Sequence, residues 1–223
     1  MSSKITFDDI KDSKEIQTYI KQADASLKAL GFTEHSFAHV TKCAEEAGKL
    51  LQELGYSDHE IELVKIAAYM HDIGNVINRV NHAQSGGAVM AFRILDKMGM
   101  EPEDTAAIIT AIGNHDEKAA FPVNAVAAAV IIADKTDVRR SRVRNKATIY
   151  TDIHDRVNYA VEKAGLKLNK DEKTLTLHLS IDTGICPVME YFEIFMDRML
   201  LCRKAADFFG LAFKLNINGT ALL

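Results

Sequence analysis

The sequence predicts a mainly α protein: a helical bundle over residues 1–165, with a small C-terminal helix-on-β-sheet appendage over residues 166–223 packed on the same unit. Three observations carry this prediction. Apolar residues recur at spacings of three and four through most of the chain, the repeat of a helix with one buried face. There are only 3 prolines, and Pro102 and Pro122 stand where helices would begin. The last quarter switches to apolar–polar alternation, the period of a half-buried strand.

From His39, the set Val40, Cys43, Ala44, Ala47, Leu50, Leu51 and Leu54 keeps helical spacing and stops at Gly55. Ser57-Asp58-His59-Glu60 reads as a capping box, starting a helix through Ile61, Val64, Ala67 and Ala68 to His71. Gln84 to Met98 is the next helix, with Ala88, Ala91, Phe92, Leu95 and Met98 on its apolar side and Gly99 at its end. Pro102 opens a helix carrying Ile108, Ile109 and Ile112 toward His115. Pro122 precedes a long helix through Val126, Val130 and Asp134, and Asp152 to Ala164 supplies a short one. In the appendage, Leu175, Leu177, Leu179 and Ile181 alternate with Thr176, His178 and Ser180. Leu211, Phe213, Leu215 and Ile217 repeat that alternation, and Val188 to Phe209 between them reads as one helix.

Composition narrows the class of protein. Lys and Arg total 27 against 31 acidic residues, a net charge of −4, with 48% apolar and 26% charged residues. That is ordinary globular usage and excludes a disordered chain. A balanced charge excludes a general nucleic-acid coat, which rests on neutralising many phosphates. The longest apolar run, Ala125 to Ala133, falls well short of the roughly 20 residues of a bilayer span. Met1-Ser2-Ser3-Lys4 leads into no apolar segment, so no secretory leader is expected. The 3 cysteines (Cys43, Cys186 and Cys202) form no CxxC pair, which points to a reducing cytoplasm and away from a disulfide framework.

The 8 histidines are unevenly placed. His71 ends the stripe of Val64 and Ala68, His115 ends that of Ile108 and Ile112, and His39 opens that of Cys43 and Ala47. Asp134 shares a face with Ala127, Val130 and Ile131, while Asp72 follows His71 and His82 lies just before a helix. One buried histidine is commonly a satisfied core residue. A core holding these imidazoles and two carboxylates is unstable without a cation, because an unpaired buried charge costs several kcal/mol. Imidazole nitrogen with carboxylate oxygen suits one or two divalent transition-metal ions, Fe or Mn first, with Zn, Co and Ni as further options. Two ions could share the side chains with Asp72 between them, about 3.5–4 Å apart, polarising a phosphate and acidifying a water.

The order His39, His71-Asp72, His82, His115, Asp134 resembles the HD superfamily of metal-dependent phosphohydrolases over roughly residues 35–145. The segments that carry it are His39-Val40-Thr41-Lys42-Cys43-Ala44, Met70-His71-Asp72-Ile73-Gly74 and Ala133-Asp134-Lys135-Thr136-Asp137. The resemblance is nearest to the two-metal branch, that of the symmetrical diadenosine-tetraphosphate hydrolases. His82-Ala83-Gln84-Ser85-Gly86-Gly87-Ala88 and Ala111-Ile112-Gly113-Asn114-His115 are similar to segments of theirs. The cyclic-dinucleotide HD-GYP enzymes share the order, but their GYP segment is missing and Asp116 stands where they carry a second adjacent histidine. The resemblance implies an HD-type helical bundle in which His39, His71, Asp72 and Asp134 hold one metal. Asp72, His82 and His115 would then hold the second.

The candidate catalytic residues are Asp72 and Lys135. Helical spacing would put Lys135 and Arg139 on one face for substrate phosphate, joined by Arg79 from the loop before His82. The competing role for Lys135 is a solvated helix end, and that is the role expected of Arg140, Arg142 and Arg144. Asp116 either stands behind a ligand imidazole or is a solvated loop residue beside Glu117. His35 would share the site's mouth if its helix began early; an exposed cap residue is the reading favoured here. His59, His154 and His178 read as surface.

The expected activity is hydrolysis of a phosphoester or phosphoanhydride of a small phosphorylated substrate, a nucleotide first, at a mono- or dinuclear site. Two alternatives stand beside it. One is a di-iron oxygenase, since the ligand order also resembles that of myo-inositol oxygenase. The other is a non-catalytic metal-binding sensor or interaction domain. The appendage's edge strands could pair with a second copy, giving a homodimer.

Overall fold

The computed structural model describes residues 5–117 and 120–222, and of Ala88 only the backbone. Met1–Lys4, considered above for a leader, and the Ala88 side chain, placed above on an apolar stripe, lie outside the described residues. The chain is mainly α, with a small four-stranded sheet and a long helix near its C-terminus. It divides into two compact units, Met1–Asp134 and Lys135–Leu223.

The first unit opens with two helices that were not assigned from the sequence, α1 (Phe7–Asp12) and α2 (Lys14–Ala29). Thr6 and Asp9 cap α1 reciprocally, and Ile16, Ile20, Ala23 and Leu27 form the buried stripe of α2. Helix α3 (Phe37–Leu54) ends at Gly55 in the left-handed conformation, φ 86°. Helix α4 (Asp58–Met70) carries the expected capping box, Ser57 with Glu60, and hands over to His71. Then come a 3-10 turn (Ile73–Val76), α5 (His82–Gln84), a π-helical stretch (Ser85–Ala91) and α6 (Phe92–Met98). Helix α7 (Pro102–Gly113) has its proline in the first turn, where the missing N–H costs nothing. Helix α8 (Ala125–Lys135) starts where Asn124 Oδ1 accepts from the Ala127 N–H, 2.8 Å. Ala127 to Ile132 are fully buried, as expected of a helix that is apolar all round. Helix α3 packs on α4, α4 on α7, and α2 on the 3-10 turn, which brings the ends of α4 and α7 to the same core.

The second unit holds short 3-10 turns, α9 (Ile153–Ala160), β1 (Val161–Asn169), β2 (Thr174–Ile181), α10 (Val188–Phe208), β3 (Ala212–Ile217) and β4 (Thr220–Ala221). The sheet order is β1-β2-β3-β4. Strands β2 and β3 are parallel, a pairing that needs a crossover, and α10 supplies it. Their register puts Leu175 opposite Phe213, Leu177 opposite Leu215 and Leu179 opposite Ile217, all buried. The short helix expected over Asp152–Ala164 is wrong at its end. Its last four residues, Val161–Ala164, are strand, paired antiparallel with β2. Glu162, Lys163 and Ala164 favour a helix locally, and the ladder with β2 overrides that preference.

Among the described residues no helix is long and apolar enough to cross a membrane. Cys43, Cys186 and Cys202 are buried, with no disulfide among the described residues.

Candidate metal centre

Each ligand candidate stands at or near a helix end. His39 lies in the first turn of α3, and His71 caps α4. Asp72 follows with φ −94° and ψ 3°, the sparsely populated bridge region where many active-site residues sit. His82 opens α5, His115 comes two residues after the end of α7, and Asp134 is the penultimate residue of α8. His39, His71, His82 and His115 are each at most 2% exposed, Asp72 5% and Asp134 8%.

The two oxygens of Asp72 face different partners. Oδ2 lies 3.4 Å from His71 Nε2 and 3.7 Å from His39 Nε2. Asp134 Oδ1 completes that half, 3.3 Å from His39 Nε2 and 3.6 Å from His71 Nε2. Oδ1 of Asp72 lies 3.3 Å from His82 Nε2 and 3.9 Å from His115 Nε2. The carboxylate therefore stands between two halves, in the arrangement a bridging ligand requires.

Backbone carbonyls fix three of the imidazoles. Nδ1 of His71 is 2.6 Å from Ala68 O, Nδ1 of His115 is 2.6 Å from Ile112 O, and Nδ1 of His82 is 3.0 Å from Arg79 O. A carbonyl only accepts, so each Nδ1 carries the proton and each Nε2 presents a lone pair inward. His82 and His115 then face each other Nε2 to Nε2 at 3.1 Å, an approach that a proton on one ring or a metal ion between them would satisfy. His71 Nε2 is buried without a hydrogen-bond partner among the described residues. These inward lone pairs and an orphaned buried nitrogen fit a divalent ion.

Electrostatics points the same way. Burial alone would push His71 down, but the carboxylates of Asp72 and Asp134 outweigh it and raise the imidazole to about 10. Burial would raise Asp72, yet His71 and His82 hold it well below the ordinary carboxylate range. Paired carboxylates in a buried site demand positive charge, and a proton on His71 supplies it where a metal ion does not.

Asn75 and Cys43 entered this site without being singled out, and glycines of the quoted segments shape it. Asn75 donates through Nδ2 to Asp72 Oδ1 at 2.8 Å, fixing the carboxylate; its place one turn after Asp72 was the available signal. Cys43, read only as an apolar stripe member, puts Sγ 3.6 Å from His39 Nδ1 and groups with His39, His71 and Asp134. Gly74 and Gly86 allow a close backbone approach: a Cβ on Gly74 would sit 2.0 Å from His82 O. Gly87 does the same against Ile109 O of α7, so the glycine-rich π stretch draws His82 toward Asp72 and His115.

The remaining candidates divide. Arg79 reaches the second half, with NH1 3.3 Å from Asn75 Oδ1, 3.3 Å from His82 Nε2 and 3.8 Å from Asp72 Oδ1. Its guanidinium also lies over the Phe32 ring, 5.5 Å from the centroid. His35 is buried, not an exposed cap: its ring meets that of His39 edge to face at 5.5 Å, and Nδ1 donates to Thr33 O at 2.7 Å. Asp116 is half-buried after His115, and no hydrogen bond or ion pair ties it to the ligand set among the described residues. Lys135 is buried as the last residue of α8.

The shared helical face of Lys135 and Arg139 does not exist. The helix stops at Lys135, and Arg139 is extended (φ −161°) with Nε on Asp137 Oδ1 at 2.9 Å and NH1 on Ser141 Oγ at 2.7 Å. Arg142 is not solvated either; it is buried and donates to the Asp137 carbonyl at 2.8 Å. Arg140 donates to Tyr159 O at 2.6 Å and lies over that ring. Asp137 and the Tyr159 carbonyl recruit these arginines, a use invisible to helical spacing. His154 and His178 are exposed, while His59 is half-exposed and pairs with Asp104 at 2.8 Å.

Residues 36–139 match the family model described as the HD domain, which supports a place in the HD superfamily. An uncharacterized protein of Methanocaldococcus jannaschii is 26% identical over 212 residues, covering 84% of this chain and 81% of that protein. A crystal structure described as that of a predicted HD superfamily hydrolase, from an uncultured Thermotogales bacterium, is similar at 23% identity and a TM-score of 0.45. It covers 56% of this chain and 68% of its own.

Proposed function

We propose that this chain is a metal-dependent phosphohydrolase of the HD superfamily, in its two-metal branch, acting on a phosphoester or phosphoanhydride of a small phosphorylated substrate, a nucleotide first. The observation that carries this is Asp72, whose two oxygens face His39, His71 and Asp134 on one side and His82 and His115 on the other. The HD domain match over residues 36–139 supports the same reading. Nitrogen and oxygen ligands suit Fe, Mn, Zn or Co, and our reading puts Fe or Mn first. In this reading His39, His71, Asp134 and Asp72 would hold one ion, and His82, His115 and Asp72 would hold the other. Divalent ions so held supply Lewis acidity toward a phosphoryl oxygen and acidify a water.

The chain's own residues do the positioning. Ala68, Ile112 and Arg79 carbonyls lock the imidazoles in the ligating tautomer, and Asn75 keeps the Asp72 carboxylate in place. Arg79, on the rim at 28% side-chain exposure, offers a planar donor set to phosphate oxygens. In the reaction water oxygen would bond to phosphorus and release its proton to solvent, the phosphorus–leaving-group bond would break with its electron pair going to the leaving oxygen, and no covalent enzyme intermediate is required.

The test is metal analysis of purified protein, then a screen of mononucleotides, dinucleoside polyphosphates, cyclic dinucleotides and guanosine polyphosphates. We expect stoichiometric transition metal and phosphate-releasing activity that Asp72→Ala abolishes. Protein that binds no transition metal, or an Asp72→Ala variant as active as wild type, would overturn the reading.

A further inference from the structure

The two halves of the site differ in one respect. In the first, His71 Nε2 has no hydrogen-bond partner among the described residues. In the second, the His82 Nε2 lone pair faces a cationic side chain, the guanidinium of Arg79 at 3.3 Å. The same NH1 meets Asn75 Oδ1 at 3.3 Å and approaches Asp72 Oδ1 at 3.8 Å. Two of these acceptors, His82 Nε2 and Asp72 Oδ1, are ones a divalent ion in that half would need. His82 has spent Nδ1–H on the Arg79 carbonyl, so its one remaining lone pair can serve either the guanidinium or an ion, not both.

The hold on Arg79 is loose. Charge-assisted hydrogen bonds run at about 2.7–2.9 Å, and both of its contacts here are longer. The side chain is 28% exposed, and Phe32, 41% exposed, supports the guanidinium from outside. A short movement along that ring would clear the lone pair and leave the guanidinium beside the site.

We propose that Arg79 is an exchangeable plug on the second metal position: its guanidinium holds the acceptors of His82 and Asp72 until a divalent ion takes them, and once displaced it binds a phosphate oxygen of the substrate. The proposal rests on the two-metal hydrolase reading above and adds an order to it. The His39–His71–Asp134 half loads first, the other half loads second and more weakly, and loading turns an internal plug into a substrate contact.

The experiment is a calorimetric titration of metal-stripped wild type, Arg79→Ala and Arg79→Lys with Mn2+, with electron paramagnetic resonance reporting coupled ion pairs. Inorganic phosphate is then titrated into the loaded proteins. Wild type should bind two ions with unequal affinity. Arg79→Ala should tighten the second step by about tenfold or more, the scale set by removing one like charge at contact distance. It should leave the first step unchanged and weaken phosphate by a similar factor. Arg79→Lys should restore phosphate binding in part. Equal affinities in wild type, a second step unchanged or weakened in Arg79→Ala, or one ion in every protein would overturn the plug while leaving a metal site. No binding of Mn2+ by any of them would overturn the plug and count against the metal-site reading with it.

Discussion

Asp72 and Asn75 show how much of this site depends on single atoms. Asp72 has an oxygen on each half, so Asp72→Asn removes charge from both and puts an N–H donor where a lone pair is needed. We expect loss of both ions in a chelator competition titration; retention of one tight ion would show that the carboxylate does not bridge. Asn75→Ala removes the donor that orients Asp72 Oδ1 while leaving every candidate ligand in place. Partners of this kind are worth about 10–100-fold in metal affinity. The same titration should show that loss; unaltered affinity would assign Asn75 a purely structural role. The ligand candidates were legible in the sequence because histidines and aspartates ending apolar stripes are costly unless used. Asn75, Cys43 and the burial of His35 were not legible, since a polar residue one turn from a ligand and a thiol on an apolar stripe look ordinary. Arg142 and Arg139 misled for the opposite reason: Asp137 and the end of α8 decide their partners, and neither shows in charge spacing.

Elements matter here chiefly by where they stop. Gly55 and Gly99 marked ends that the structure keeps, and Pro102 and the Ser57–Glu60 box marked starts. Local chemistry sets these boundaries, so a single sequence shows them. Strand β1 was hidden because its first residues favour a helix and only the ladder with β2 makes them strand. Helices α1 and α2 had a readable signal in Thr6–Asp9 and in the Ile16–Leu27 stripe. The glycine-rich stretch is where element and site meet. Gly74→Ala would drive a Cβ to 2.0 Å from the His82 carbonyl and 2.5 Å from the Gly86 nitrogen, both backbone atoms that cannot swing away. We expect it to move His82 and lose the second ion while the first still binds, as read by Mn2+ stoichiometry. Ser57→Ala is the control: losing the cap should cost about 1 kcal/mol by denaturant unfolding and leave two ions bound. If both variants lose stability alike and both keep two ions, the glycine contact does not position His82.

For the whole molecule, the buried carboxylates make stability a function of what neutralises them. In metal-free protein that role falls to the proton on His71, held up to about 10 by Asp72 and Asp134 against the opposing effect of burial. A raised folded-state pKa contributes stability that is fully present below the ordinary imidazole value near 6.5. That contribution is lost as pH climbs toward 10. A bound ion needs the same nitrogen deprotonated, so its affinity moves the other way and strengthens as pH rises. The gap in Tm between loaded and stripped protein should therefore widen from pH 7 to pH 9. At free metal about 100-fold above Kd the ion contributes about 2.7 kcal/mol, on the order of 5–10 °C for a chain this long. Calorimetry in buffers of differing ionisation enthalpy should also detect proton release on loading at pH 7.5. Hydrogen exchange locates the effect: protection gained on loading should concentrate in α3 and at the ends of α4, α7 and α8, whose side chains form the site. The β1–β4 sheet, which carries none of the ligand candidates, should be unchanged. A Tm gap that narrows with pH, or protection gained equally in the sheet, would mean that the coupling between fold and ion does not run through His71 and its two carboxylates.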